Sequence, residues 1–381
     1  AQRYLPWFRV ANAEASAVIT VRQLLNHTSG LAVGAGRDQE HDTLEGHVRG
    51  LSEVTLVHAP GERHEYSSAN YLVLGHIVEV LSGQSFGAYV EEHIFAPLDM
   101  KHSFASQEAA QETGVMASGY QYWLSYPRAT TLSHESDRLP TAALIASAED
   151  MAHFMIAQLD EGRYQETAVL SPESMAEMHR PTAESEGFSY AMGWRVSETE
   201  GVAEIFHGGI VPNFRGQMVM LPGLETGVVV LTNVSSVMGT PTSHRMAATV
   251  AALLGDTPPP AHSNMTLTLL HGFIAFGVLM ITFNQIKDLV RVRRWAEKLP
   301  RPPFSTPMLL RKIVLPIALE ILIPLLLLFG LPRWLGFSWA EMIRQMPDIA
   351  YWLMLASALG LLIAFLKGRL ALSVFNSGEI A

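Results

Sequence analysis

The spacing of apolar residues changes character twice along the chain. Up to about Leu159 it is helical. Val21, Leu24 and Leu25 line one face of ITVRQLLNHTSGL, and Leu74, Ile77, Val78 and Leu81 do the same in SSANYLVLGHIVEVLSG. Ser147 opens a third such segment with Met151, Phe154, Met155 and Leu159 as its stripe. The stops are legible too. Ser29 and Gly30 end the first helix where a left-handed residue is needed, and Gly83 ends the second, which runs from about Asn70 with Ser67 or Ser68 as its cap. From Tyr190 the period falls to two. AMGWRVSE, VAEIF, FRGQMVML and TGVVVLTNV predict strands joined by tight turns such as LPGLETG, hence a largely antiparallel sheet, with a closing helix from Thr242 to Leu254. Strands meeting helices in this way predict a layered α+β domain over residues 1–254.

The last third carries unbroken apolar runs instead of alternation. Three of them, at about 265–286, 313–332 and 349–366, predict three transmembrane helices in a membrane domain spanning 265–381, joined to the first domain by the linker GDTPPPAHSN at 255–264. Lys287, Arg291, Arg293, Arg294, Lys298, Arg301, Arg311 and Lys312 fall in the loop between the first two runs, and Lys367 and Arg369 follow the third. Positive charge marks the cytoplasmic side, so residues 1–264 are expected outside the cytoplasm. Glu320 and His271 are the ionisable groups within the runs, read as snorkelling or helix packing; their depths differ too much for a direct pair.

Charge sharpens this division. Residues 1–264 carry 14 Lys+Arg against 30 Asp+Glu, a net of −16, whereas 265–381 carry 12 against 6, a net of +6. The acidic first part excludes a nucleic-acid partner, which needs clustered positive charge. There is no cysteine, so no disulfide framework or thiolate metal site. H-E-x-x-H is absent as well, and neither metal nor cofactor is expected. The chain starts at Ala1 with no initiator Met and no signal-peptide pattern, and is read as a fragment or processed form.

Candidate chemistry is sparse. Tyr66 sits at the rigid start of the second helix. His27, close to Ser29, reads as part of a helix stop and a packing element, because neighbours on a terminating turn do not align as base and nucleophile. GQSFG imitates a nucleophile elbow, but a helix precedes it, so Ser85 reads as a helix cap. GAGR lacks the third glycine and the preceding strand of a dinucleotide loop. HGG, His207 to Gly209, falls just after a strand. It is either a plain glycine turn or a place where substrate approaches the backbone beside an imidazole donor.

Taken in order, ITVRQLLNHTSGL, APGERHEYSSANYLVLGHIVEVLSGQSFGAYVEEHIFAPLDM and FHGGIVPNFRGQMVMLP resemble the serine β-lactamase-related family of class C β-lactamases, penicillin-binding proteins, D-alanyl-D-alanine carboxypeptidases and esterases. The resemblance covers roughly Tyr4 to Leu254 and implies a β-lactamase/transpeptidase-like antiparallel sheet flanked by helices, incomplete at its N-terminus. It implies acyl transfer through an S-x-x-K serine, a Y-x-N tyrosine as proton shuttle, and a K-T-G or H-x-G triplet beside the acyl site. Tyr66 matches the tyrosine; His207, Gly208 and Gly209 match the triplet; Ile210 N–H matches an oxyanion-hole amide. Ser68 stands where the family has asparagine, with a shorter reach and one donor instead of two.

The S-x-x-K motif itself is missing from all 381 residues; Lys101, the one lysine in 1–264, has Leu98 three positions before it. Either the nucleophile segment lies upstream of Ala1 in a longer parent, or the protein is a pseudoenzyme. The expectation is therefore a multi-pass protein of the bacterial cytoplasmic membrane. Its extracytoplasmic serine hydrolase would act on an amide, ester, D-amino-acid peptide or β-lactam, and the chain alone would be inactive. Its partners would be a small-molecule or peptide substrate and the lipid bilayer, with the oligomeric state left open. The alternative is a non-catalytic peptide- or peptidoglycan-binding sensor.

Overall fold

The alternating segments do pair. In the computed structural model, which describes residues 1–36, 41–123, 126–131, 138–235, 242–260, 265–300 and 305–377, the strands β1 (Ala183–Ser185), β2 (Phe188–Tyr190), β3 (Arg195–Thr199), β4 (Val202–Val211), β5 (Phe214–Leu221) and β6 (Thr226–Thr232) form one sheet. Side chains at 265–268, 270–271, 274–275 and 376–377 lie outside the description. The strands lie side by side in chain order, antiparallel throughout, as hairpin connections require. Glu200 and Gly201, the two residues between the paired Thr199 and Val202, both have positive φ, the conformation of a two-residue hairpin turn.

Each face of the sheet has its own cover. Ile205 and Met220 point, with Val196, Met218 and Val229, into a core shared with Met155 of the helix Ala148–Leu159. Val219 and Leu221 face the other way, onto Ala247 and Ala251 of the closing helix Thr242–Leu254. Ser147 caps the first of these helices by accepting a bond from Asp150 N–H at 3.0 Å. A second core joins the N-terminal segment to the long helix Ser68–Ser82: Leu5, Phe8, Ile19, Leu24 and Leu31 are buried against Leu72, Val73 and Ile77. Burying each such side chain is worth about 1.5–3 kcal/mol. Gly83, with φ 73°, ends that helix, and Ser85 caps the next one through Ala88 N–H at 3.3 Å.

The chain clusters into two compact units, of which the second comprises mainly residues from Ser263 on. It is helical: Met265–Glu297, Thr306–Leu335 and Pro347–Ser377, with a short helix Trp339–Gln345 before the last. Two of its helices, Thr306–Leu335 and Pro347–Phe375, are long and apolar enough to cross a membrane. Leu315, Leu322, Leu326 and Phe329 point outward from the former. The helices run past their expected ends. Lys287 to Lys298, expected in a loop, largely extend the first helix to Glu297, because no breaker occurs before Pro300 and Lys, Arg, Leu, Ala and Glu are good helix formers.

That overrun changes the reading of Glu320. The last helix does not stop at Leu366, so Lys367 is carried inside the bundle, its side chain 6% exposed. Its Nζ lies 2.9 Å from Glu320 Oε1 and 3.3 Å from Asp288 Oδ2, one carboxylate from each of the other two long helices. The side chain of His271 lies outside the described residues. A buried ammonium between two carboxylates clamps three helices at one depth. Lys367→Met strands Glu320, whose side chain is 19% exposed, and is expected to destabilise the helical unit by about 3–5 kcal/mol. Adding Glu320→Leu should recover most of the loss. Unfolding in mixed detergent micelles checks this, and equal loss in the single and double variants counts against the clamp.

Candidate active site

The site is built on a tight turn. The helix Val21–Leu25 begins with a reciprocal cap between Thr20 and Gln23 and ends at Asn26. His27 then takes a left-handed backbone, φ 58°, a conformation few non-glycine residues adopt. The helix therefore stops two residues earlier than Ser29 and Gly30 suggested, and the turn drives the imidazole inward, to 1% exposure. There its Nδ1 accepts Ser67 N–H at 3.2 Å and faces the Asn70 amide nitrogen at 2.9 Å, whose Oδ1 accepts from Ser29 Oγ at 2.5 Å. With both donors aimed at Nδ1, the ring proton belongs on Nε2, which is buried without a partner among the described residues.

His27 is thus more than a helix stop. Its ring lies under Tyr66, centroids 4.3 Å apart, and 5.0 Å from Tyr190. Tyr66 immediately precedes the helix Ser68–Ser82, but Ser67 does not cap that helix through its side chain. Its hydroxyl donates to Ala32 O at 2.7 Å, drawn aside by the buried loop carbonyl. Ser68 is the first helical residue, and its hydroxyl bonds to no described residue. The Tyr66 hydroxyl likewise has no partner among the described residues, and the residue is 37% exposed. Burial pushes the phenol above its usual pKa while the Arg195 guanidinium pulls it down.

HGG does not follow a strand; it lies inside one. β4 runs on through His207, Gly208 and Gly209 to Val211, paired with Met218, Gln217 and Gly216 of β5, so the ladder rather than a turn decides the backbone there. A Cβ on Gly208 would come within 2.4 Å of Gln217 Oε1, whereas Gly209 faces open space. On its other side, β4 is paired with β3 only as far as Phe206, opposite Arg195. Beyond it, His207 to Val211 present an edge with no ladder partner among the described residues, Ile210 well exposed. Tyr190 Oη lies 3.1 Å from His207 Nε2. His207, Tyr190, His27 and Tyr66 are therefore one connected cluster.

The Beta-lactamase family profile matches residues 1–253. The chain belongs to the Beta-lactamase family. Protein flp of Staphylococcus aureus strain MW2 is 29% identical over 238 residues, covering 61% of this chain and 47% of its own length. Penicillin-binding protein 4 of Amycolatopsis lactamdurans is 30% identical over 245 residues, 60% of this chain and 63% of its own. The octameric penicillin-binding protein homologue from Pyrococcus abyssi superposes with TM-score 0.56 at 26% identity, covering 63% of this chain and 56% of that one. The chain spans about half the length of the first of these curated relatives.

Within this Beta-lactamase family unit, the cluster holds residues that the motifs did not mark. Tyr190 and Arg195 come from the sheet, His64 and Asn70 from either side of Tyr66. Periodicity carries no signal for them, since Tyr190 and Arg195 read as ordinary strand positions. The turn at His27 was visible, but not the 40-residue separation that its bond to Ser67 closes.

The cluster holds two imidazoles neutral. Burial first, then His64, His207 and Arg195, push His27 from 6.5 to about 3; burial and Arg195 push His207 to about 4. In the unfolded chain both titrate near 6.5, so below that pH the unfolded state binds more protons. Stability from these groups is full above about pH 6.5 and declines as pH falls toward 4 and then 3. Imidazole ¹⁵N shifts should show both rings neutral at about pH 5, with the His27 proton on Nε2. Protonation of either ring with a midpoint near 6.5 would contradict the buried cluster.

Proposed function

We propose that this chain is the base-bearing part of a serine hydrolase that performs acyl transfer on an amide, ester, D-amino-acid peptide or β-lactam outside the cytoplasm. The observation that carries the reading is the Tyr66 hydroxyl, without a partner among the described residues, within the field of the Arg195 guanidinium and linked through His27 and Tyr190 to the His207-Gly-Gly edge of β4. The penicillin-binding relatives agree with such substrates.

In this reading the acyl-accepting serine comes from outside these 381 residues, which hold no S-x-x-K. Its Oγ attacks the substrate carbonyl as its proton passes to Tyr66 in the phenolate form. An unperturbed tyrosine ionises near 10, so a base role needs positive charge close by. Arg195 supplies a field of that sign, although burial works against it. Ile210 N–H stabilises the oxyanion, and Gly208 and Gly209 leave the strand edge bare for the acyl chain. His207, neutral, is the hydrogen-bonding partner on the acyl side, and Ser68 lines the wall opposite. Collapse returns the Tyr66 proton to the leaving group, and water then releases the acid by the same route.

Residues 1–254 form the hydrolase domain in this proposal, 255–264 the linker, and 265–381 an anchor of three spanning helices. The apolar helices Thr306–Leu335 and Pro347–Phe375 support it, together with the positive charge of the intervening segments.

The 381-residue chain is expected to take no covalent label from a fluorescent penicillin or a fluorophosphonate. The product of the complete natural gene should be labelled at an S-x-x-K serine. In that product Tyr66→Phe should lower kcat/KM by about 10²–10⁴-fold, mainly through kcat. A gene with no S-x-x-K, whose product still binds acyl peptides, would favour the non-catalytic sensor instead.

A further inference from the structure

The positive charge of the helical unit is gathered at one end of its bundle. The helix Met265–Glu297 runs on past its apolar stretch, and from there Lys287, Arg291, Arg294 and Lys298 follow one another at intervals of four, three and four residues. That spacing puts all four on one face. The adjoining face is packed: Val292 and Leu299 are buried and Trp295 is partly so. Leu299 shares its small core with Ile313 and Ala371, against Leu309 and Phe375. Arg311 and Lys312, next to Ile313, and Arg369, two residues before Ala371, are exposed. Packing thus brings basic residues from three stretches of chain to one place.

Little opposes this charge. Over 287–320 and 367–369 the described residues include nine Lys and Arg against three Asp and Glu, and two of those acids, Asp288 and Glu320, are taken up by Lys367. In the stripe, Lys287 donates to Asn284 Oδ1 at 2.8 Å, and none of its four cations forms an ion pair with a described residue. The charge also borders on exposed apolar surface. Phe283, Ile286 and Val290 point outward on the same helix, the last 77% exposed, and Leu310, Val314 and Leu315 do so on the next. An occupant that covers both kinds of surface needs an anionic head and an apolar body. A soluble polyanion matches only the first.

We propose that this end of the bundle is a binding surface for anionic phospholipid, with Lys287, Arg291, Arg294 and Lys298 as its contacts to headgroup phosphates. The proposal goes beyond the acyl-transfer reading and rests only on the membrane-anchor part of it. From Lys287 to Lys298 the chain rises about 16 Å at about 1.5 Å per residue. A headgroup layer is about 5–7 Å deep, and at physiological ionic strength an anionic surface is felt for about 8 Å beyond it. The stripe fits that depth. Its guanidinium groups suit paired bonds to phosphate oxygens, and its ammonium groups act as point charges.

The full chain is reconstituted into phosphatidylcholine bilayers that carry a trace of spin-labelled phosphatidylglycerol or spin-labelled phosphatidylcholine, and electron spin resonance reads the lipid held at the protein. Phosphatidylglycerol is expected to be preferred by about 5-fold or more at about 0.01 M salt, where screening reaches about 30 Å, and to fall toward parity at about 1 M, where it reaches about 3 Å. In Lys287→Gln/Arg291→Gln/Arg294→Gln/Lys298→Gln the two lipids should come within about 2-fold of each other, the helix being kept because glutamine forms helices about as well. Arg291→Lys/Arg294→Lys should keep most of the preference, and Arg333→Gln, near the far end of Thr306–Leu335, should leave it unchanged. Equal retention of both lipids by the unaltered chain, a preference that survives the fourfold variant, or its loss in Arg333→Gln overturns the proposal. A duplex oligonucleotide that displaces the labelled phosphatidylglycerol at about 0.15 M salt assigns the surface to a soluble polyanion instead. A chain that alkaline carbonate strips from the bilayers overturns the anchor reading and this proposal together, whereas insertion without lipid preference overturns the proposal alone.

Discussion

The functional unit depends on one imidazole nitrogen. His27 Nδ1 receives the Ser67 amide and the Asn70 side chain, and through them ties the turn after the first helix to the start of the long one. Those bonds offset the left-handed backbone of His27, which has no glycine's freedom to adopt it. Without them Ser67 N–H and Asn70 would be buried donors with nothing to bond, a cost of about 1–3 kcal/mol each. Tyr66 and Tyr190 both lie against the ring so held, and Tyr190 reaches His207. The tyrosine of the helical region and the histidine of the sheet belong to one cluster because His27 and Tyr190 link them.

The same arrangement settles the electrostatics. Burial, with a lesser contribution from the Arg195 guanidinium, makes the charged forms of His27 and His207 costly, so both rings are neutral. The Arg195 guanidinium acts on both rings and on Tyr66 as well. It biases Tyr66 toward ionisation and burial biases it the other way, so the proton on that hydroxyl is sensitive to whatever else enters the site.

The two units solve the problem of internal polarity differently. In the first, sheet faces are sealed by apolar contacts with a helix on each side, and the polar cluster lies where β4 runs on past its pairing with β3. In the second, helices with apolar outer surfaces are pinned by Lys367 between two acids. Where the surroundings are as apolar as the interior, hydrophobic burial alone gives little preference for one helix register over another. A charge triad does, because every other register leaves a charge unmatched.

Much of this was legible in the chain. Strand alternation after Tyr190 foretold the meander, Ser147 and Ser85 announced their helices, and Tyr66 with His207-Gly-Gly marked both halves of the cluster. Local pattern was enough there because period, caps and turns are properties of neighbouring residues. It was not enough for Ser67, whose hydroxyl goes to Ala32 instead of the helix, for HGG, which the ladder with β5 keeps in a strand, or for Lys367, which one further run of helix carries to Glu320. The sequence by itself determined the elements, their order and the family. Only the tertiary structure decided that His27, Tyr190 and Arg195 join Tyr66. The rings of His27 and Tyr190 meet across a separation of 163 residues, where no periodicity reaches and only packing selects the partner.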